Sequence, residues 1–321
     1  MVRLENLSKN YGTVKAVKSI SFELSDSQIV GFLGANGAGK STTLKMMTGF
    51  ISPTSGNVFV DDLNIIDDNL EIQKQIGYLP ELNPLYNEMK VYDYLNFHAA
   101  TRGIRGQDFK SALTKVVKDC GLKGIVHKTV GTCSKGYKQR LGLAAAMIHN
   151  PKILILDEPV TGLDPNQIVE IRQLIKELGK EKLVMMSSHI LQEIQATVDR
   201  IIIIHNGEIV ADGTSDDLIA DSQGISSIKL EISDAEEESI ENMKAKVPSI
   251  NIKSVTREKD ISHVLIDYPS SSDPRRDIFK YAVESSWCIL EMTPSKRDLE
   301  SIFRNLTKTG DWKYAKRNSH F

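Results

Sequence analysis

The chain has 321 residues, 40% hydrophobic and 26% charged, with 21 glycines and 10 prolines, which is enough for a well-buried core and for two domains. A formal net charge of −2 gives no electrostatic case for nucleic acid or an anionic membrane surface, although a basic patch can hide in a balanced total. The cysteines Cys120, Cys133 and Cys288 form no C-x-x-C pair, which argues against a disulfide framework or zinc site and fits a reducing cytosol.

The amino terminus, Met1–Asn6, has no apolar run, so no secretory signal is expected. Val2–Leu7, Val17–Leu24 and Gln28–Leu33 read as strands, followed by a helical run, Ser41–Thr48, closed by Gly49. Ile76–Leu79 is the next strand. From Lys90 to His149 the pattern is helical, with Val91–Thr101, Phe109–Cys120 and Tyr137–Ile148, and predicts a helical subdomain over about 90–149. Ile153–Leu156, Leu183–Ser187 and Ile201–Ile204 are strands, and Asn206-Gly207 turns the last into Glu208–Ala211. This alternation predicts an α/β domain over 1–220 with a mainly parallel sheet, covered by helices on both faces. The longest apolar stretches, Ile153–Leu156 and Ile201–Ile204, fall far short of the roughly 20 residues that span a bilayer. The chain is therefore expected to be soluble on its own and to borrow any membrane role from a partner.

A linker is expected over 221–226 and an α+β accessory domain over 227–308. Its predicted order is strand Ile228–Ile232, helix Ala235–Lys246, strands Ile250–Arg257 and His263–Tyr268, helix Asp273–Ser285, strand Trp287–Met292 and helix Lys296–Leu306. The leading β-α-β-β-α-β order suggests a ferredoxin-like fold. Residues 309–321 read as a polar, basic tail. His263, Asp267 and Cys288 have no metal-ligand spacing, so the accessory domain offers no legible chemistry.

Gly34-Ala35-Asn36-Gly37-Ala38-Gly39-Lys40-Ser41 matches G-x-x-x-x-G-K-[ST], between an apolar strand and a helical run. Glycines let successive N–H groups turn inward around phosphate oxygens, and the helix N-terminus adds its dipole. Lys40 supplies a point charge for the β- and γ-phosphates, and Ser41 a hydroxyl for Mg²⁺; Thr42 follows on the same turn. Strand Ile153–Leu156 ends in Asp157-Glu158. Side chains alternate across a strand, so the two carboxylates need not share a role: Asp157 is placed to hold Mg²⁺, Glu158 to polarise the attacking water. The cofactors implied are ATP and Mg²⁺.

Further motifs narrow the choice. Cys133-Ser134-Lys135-Gly136-Tyr137-Lys138-Gln139-Arg140 resembles the signature of ABC ATPases, usually L-S-G-G-Q. Thr161-Gly162-Leu163-Asp164 resembles their D-loop, His189 their switch histidine, Tyr11 their adenine-stacking aromatic, and Gly77-Tyr78-Leu79-Pro80-Glu81 their Q-loop. The chain resembles an ABC transporter ATP-binding subunit over about residues 1–220. The resemblance implies a P-loop NTPase fold and ATP hydrolysis with Glu158 and His189 catalytic. It also implies ATP contacts from Tyr11, Gly34, Asn36, Gly37, Gly39, Lys40, Ser41, Thr42 and Asp164, and Mg²⁺ contacts from Ser41, Glu81 and Asp157. In such proteins two domains pair head-to-tail, so Ser134 and Gly136 would serve the partner copy's ATP. A homodimer, or pairing with a homologous subunit, on a separate multispanning permease is implied, with no nucleic acid. The expected location is cytoplasmic, peripheral on the inner face of the cytoplasmic membrane.

Blander readings stay open at this point: Ser134 and Asp164 as helix caps, His189 as a loop histidine, Tyr11 as strand-end packing and Glu81 as a solvated side chain. A soluble ABC ATPase acting on ribosomes or DNA, and a module that holds ATP without turnover, are the competing functions. In the signature, Cys133, Lys135 and Tyr137 depart from the family pattern, and Lys135 is expected to add positive potential near the partner's ATP. The runs Ile76–Tyr86, Ser134–Arg140 and Met292–Phe303 look like the gliding-motility-associated ATPase subunits of bacterial exporters.

Overall fold

The computed structural model describes residues 1–221, 225–269 and 272–295, together with 300 and 303. The expected helix Lys296–Leu306 apart from 300 and 303, residues 222–224 of the linker, and the polar tail lie outside the described residues. The chain divides into two compact units, the first over Met1–Ser215 and the second beginning at Asp216.

The first unit holds two sheets. In the six-stranded sheet, β3 (Ile29–Leu33), β6 (Ile76–Leu79), β7 (Ile153–Leu156), β8 (Leu183–Ser188) and β9 (Arg200–His205) run parallel, and β10 (Glu208–Gly213) closes one edge antiparallel to β9. The order is β10-β9-β3-β8-β7-β6. Every residue of β3, β7 and β8 is buried, as expected for strands covered on both faces. Because β8 lies between β3 and β7, the carboxyl ends of three consecutive strands in space deliver three sequence-distant loops to one edge.

β1 (Val2–Tyr11) and β2 (Val14–Leu24) are strands longer than the sequence predicts, but they do not join the parallel sheet. With β4 (Ser55–Val60) and β5 (Leu63–Asn64) they form a separate antiparallel sheet ordered β2-β1-β4-β5. The physical reason is a shared core: Val2, Leu4, Leu7, Val17, Phe22, Val58 and Val60 bury their side chains together with Val30, Phe32 and Met47. The Phe22 and Phe32 rings meet at 6.0 Å between centroids. Backbone bonds then tie β2 to the β9–β10 turn and that turn to the β3–α1 loop, with Lys18 N–H donating to Gly207 O at 2.8 Å and Gly207 N–H to Ala38 O at 2.9 Å.

The helices of this unit are α1 (Lys40–Met47), α2 (Asn69–Gln75), α3 (Val91–Thr101), α4 (Gly106–Asp119), α5 (Lys135–Met147), α6 (Pro165–Gly179) and α7 (Leu191–Gln195), and α8 (Ser215–Asp221) falls at the boundary with the second unit. Between Lys90 and His149 the described structure is helical and turn, apart from one isolated bridge between Lys90 and Thr129. α5 is fixed from its polar side by Arg140. That guanidinium donates to Cys120 O at 3.1 Å, past the end of α4, and pairs with Glu170 on α6.

In the second unit β11 (Ile225–Ser233), α9 (Glu237–Lys246), β12 (Asn251–Glu258), β13 (Ile261–Pro269), α10 (Arg275–Glu284) and β14 (Cys288–Ser295) follow one another. The sheet is antiparallel, ordered β12-β13-β11-β14, the arrangement of a ferredoxin-like fold. Ile228, Leu230, Ile232, Ile240, Met243, Val264, Ile266, Ile278 and Trp287 form its own core, and Tyr281 Oη donates to Ser239 O at 2.9 Å, tying α10 to α9.

Candidate functional site

The loop from β3 to α1 begins buried, rises to an exposed crest at Ala35, Asn36 and Gly37, and is buried again from Ala38 to Lys40. Two glycines are required by contact. A Cβ on Gly34 would stand 2.5 Å from Ile204 O, and one on Gly39, at φ +112°, would stand 2.7 Å from Ala16 O. Lys40 is 6% exposed and folds back over the loop, its Nζ donating to Gly34 O at 2.8 Å and to Ala35 O at 3.4 Å. Ser41 and Thr42 are half-buried on the first turn of α1.

Asp157 and Glu158, at the end of β7, are both buried. Ser187, the fifth residue of β8, stands between them. Its hydroxyl donates to Asp157 Oδ1 at 2.6 Å and accepts the Glu158 N–H at 2.9 Å. Asp157 N–H donates to Leu79 O at 2.8 Å, so the neighbouring strand fixes its backbone. Glu158 has φ +50°, a left-handed conformation that costs a non-glycine residue free energy and turns its side chain back toward the loop. The carboxylate is then surrounded. Lys40 Nζ lies 3.5 Å from Oε1, Thr161 Oγ1 donates to Oε2 at 3.0 Å, and His189 Nδ1 lies 3.0 Å from Oε2. Nδ1–H donation to the carboxylate leaves His189 Nε2, on the partly exposed side of the ring, free to meet a ligand.

The structure thus brings Lys40, Asp157, Glu158 and His189 to one edge of the sheet, as the sequence expects. His189 is placed there by Ser188, whose hydroxyl donates to Glu193 Oε2 at 2.7 Å and accepts the Ile190 N–H at 3.0 Å, while its carbonyl accepts the Gly34 N–H at 3.3 Å. Ser187, Ser188 and Thr161 carry this geometry, and sequence reasoning assigned none of them a role. The signal in the sequence is their position: Ser187 and Ser188 stand just before the histidine, and Thr161 stands three residues after Glu158, at the start of the run that resembles the D-loop.

Other expected residues sit elsewhere. Ser134 caps α5, its Oγ accepting the Tyr137 N–H at 3.4 Å, and Asp164 caps α6, accepting the Gln167 N–H at 3.0 Å. Gly136 is buried at the start of α5, against the Gln167 side chain. Tyr11 is 49% exposed at the end of β1, with Lys9 Nζ 5.4 Å from its ring centroid. Glu81 is exposed, and with Asp157 its charge adds to burial in raising the pKa of Tyr78. Lys135 reaches Gly162 of its own chain, where a Cβ would overlap its ammonium.

The donor set fits a triphosphate with a divalent cation. The exposed crest of Ala35, Asn36 and Gly37 stands beside the N-terminus of a helix, Lys40 adds a buried cation, and the hydroxyl of Ser41 and the carboxylate of Asp157 are hard oxygen ligands of the kind Mg²⁺ takes. Beside this edge a cavity of about 240 Å³ is lined by residues that include Tyr78, Asn83, Tyr94, Arg102 and His149. Burial first, then the Arg102 charge, lowers the His149 pKa to about 4, so its ring is neutral, and its Nε2–H donates to Ile76 O at 3.1 Å.

Residues 17–161 match the family model described as ABC transporter. The chain is 38% identical over 209 residues to the uncharacterized ABC transporter ATP-binding protein YxlF of Bacillus subtilis, covering 65% of this chain and 69% of that one. It is 41% identical over 212 residues to the bacitracin transport ATP-binding protein BcrA of Bacillus licheniformis, covering 65% and 68%. Similarity to the linearmycin resistance ATP-binding protein LnrL of Bacillus subtilis, at 31% identity over 310 residues, covers 96% and 98% and so takes in the second unit. Among solved structures, the post-hydrolysis dimer of the ATP-binding cassette MJ0796 bound to ADP and Pi matches with a TM-score of 0.61 and 25% identity, covering 67% of this chain and 98% of that one.

Proposed function

The chain belongs to the ABC transporter family as an ATP-binding subunit with ATPase activity, and from that premise we propose which residues do the work and on what partner. Glu158 is the general base that takes the proton of the attacking water. His189 orients it and meets the γ-phosphate through Nε2. Lys40 and the loop from Gly34 to Ser41, with Asn36 and Gly37 on the crest and Gly39 buried beneath it, hold the phosphates, and Thr42 adds its hydroxyl. Tyr11 stacks on the adenine. Ser41, Asp157 and Glu81 would hold Mg²⁺, and the ion would neutralise the charge of the phosphates. Ser187 ties the Asp157 carboxylate to the Glu158 backbone N–H, so the metal-holding oxygen and the main chain that carries the general base keep a fixed relation.

Two copies pair head-to-tail, so that Ser134 and Gly136 of one face the ATP held by the other, with Asp164 at the seam. Capping is compatible with this role: the cap orders the first turn of α5, whose remaining N–H groups form an anion site. The pair, or one copy with a homologous subunit, drives a separate multispanning permease from the inner face of the cytoplasmic membrane. Among the described residues no helix is long and apolar enough to cross a membrane. Relatives named for linearmycin resistance and for bacitracin transport support export as the direction. The division into an ATPase domain over 1–220 and an accessory domain over 227–308, and membership of the gliding-motility-associated group, belong to the same proposal; the latter rests on Ile76–Tyr86, Ser134–Arg140 and Met292–Phe303.

The observation that carries the assignment is the convergence of Lys40, Thr161 and His189 on the Glu158 carboxylate. It is tested by the ATPase rate of Glu158→Gln, which should fall by about 10²–10⁴-fold. Equal rates in variant and wild type would remove Glu158 from the reaction.

A further inference from the structure

At two glycines in the first unit a side chain from a facing segment occupies the space a Cβ would fill. Gly136, in the first turn of α5, is buried, and a Cβ there would stand 2.5 Å from Cδ of Gln167, which lies in the first turn of α6. Gly162, at φ +71° in the turn before α6, would overlap the ammonium of Lys135, the first residue of α5, if it carried a Cβ. Each helix start fills the hollow offered by the other.

Lys135 gains little else by being there. It is exposed at the positive end of α5, where a cation is disfavoured, and among the described residues no ion pair is recorded for it. It also stands where the family pattern has glycine. The turn it leans on continues directly to the catalytic carboxylate. Thr161 N–H donates to Glu158 O at 3.2 Å, Leu163 N–H to Val160 O at 3.2 Å, and Thr161 Oγ1 to Glu158 Oε2 at 3.0 Å.

We propose that Lys135 and Gln167 are positioning residues that lock the Cys133–Gly136 turn to the Thr161–Asp164 turn of the same chain. A displacement of Ser134 is thereby passed to Thr161 and so to the Glu158 carboxylate. The catalytic half of this inference rests on the reading of Glu158 given above; the mechanical half does not. The lock makes engagement of Ser134 by a partner's nucleotide and readiness of the chain's own general base a single event.

Two readouts on the full chain separate the halves. Amide hydrogen exchange of the nucleotide-free protein should rise about three- to tenfold at Thr161 and Leu163 in the Lys135→Gly, Gln167→Ala double variant, with the Gly34–Lys40 loop unchanged. Exchange that is unchanged at Thr161 and Leu163, or raised equally in both segments, overturns the lock. In the ATPase assay each single variant should lower kcat about three- to tenfold with KM within about twofold, and Lys135→Arg should keep most of the rate. Thr161→Val should lose as much as the double variant, and combining all three should cost little more, because they break one link. A raised KM at unchanged kcat would instead put Lys135 on the nucleotide and overturn the positioning role. Full activity in Glu158→Gln would sink the catalytic reading while leaving the exchange result standing.

Discussion

Ser187→Ala removes one oxygen and leaves two buried groups unpaired. Ser187 and Asp157 are fully buried and Glu158 is 6% exposed, so water cannot replace the hydroxyl without opening the strand ends. The bond to the Asp157 carboxylate, at 2.6 Å, belongs to the charge-assisted class, worth about 1.5–3 kcal/mol. The Glu158 N–H left without its 2.9 Å acceptor adds about 1–3 kcal/mol of desolvation cost. The two losses share one site and do not add in full, so a destabilisation of about 3 kcal/mol is expected, read as a lower urea midpoint at unchanged m-value. Glu158 also loses the contact that helps hold its φ of +50°, so kcat should fall with little change in ATP affinity. Ser187→Cys, which keeps a weak donor, should recover part of both. A Ser187→Ala protein within about 0.5 kcal/mol of wild type and at full turnover would refute the claim that this hydroxyl couples the Asp157 carboxylate to the Glu158 backbone.

Gly39→Ala should abolish ATP binding and cost at least about 2 kcal/mol, because φ +112° is closed to alanine and its Cβ meets the Ala16 carbonyl; calorimetric titration and a thermal melt check both. Arg140→Ala should free the start of α5 from Cys120 and Glu170 and lower kcat several-fold, about fivefold, with the melt shifted by only a few degrees. His149 is neutral when folded, with its pKa lowered to about 4, whereas in the unfolded chain it titrates near its ordinary 6.5. The unfolded state therefore binds the proton first, and stability falls as pH drops from about 6.5 to about 4. His149→Gln should lack that share of the slope, seen as a wild-type-minus-variant difference in Tm that shrinks across this window; a constant difference would contradict it.

The phosphate loop and the acidic strand end were legible because their chemistry is local. A glycine turn between strand and helix, and a run of Ile153–Leu156 ending in Asp157-Glu158, carry their meaning in adjacent residues. Ser187 was not legible, because a serine at the end of an apolar strand reads as ordinary until β8 is known to lie between β3 and β7. The second sheet is not legible for a related reason. β1 and β2 show strand composition, but whether they join the parallel sheet depends on which core their apolar faces share, and that is a long-range fact. β4 was overlooked because Gly56 and Asn57 depress its strand propensity and Gly56 takes φ +81° at an irregular pairing with β1. Ser134 and Asp164 were read for two roles at once, and the structure displays the capping one directly.

The central claim is that ATP is held between the glycine turn of one copy and the Ser134 turn of another. Light scattering on Glu158→Gln with saturating ATP and Mg²⁺ tests it most directly. The account predicts a particle of twice the 35.8 kDa chain mass, lost when Ser134→Arg is added. A particle that stays at the mass of one chain under those conditions, with or without a permease, would contradict it.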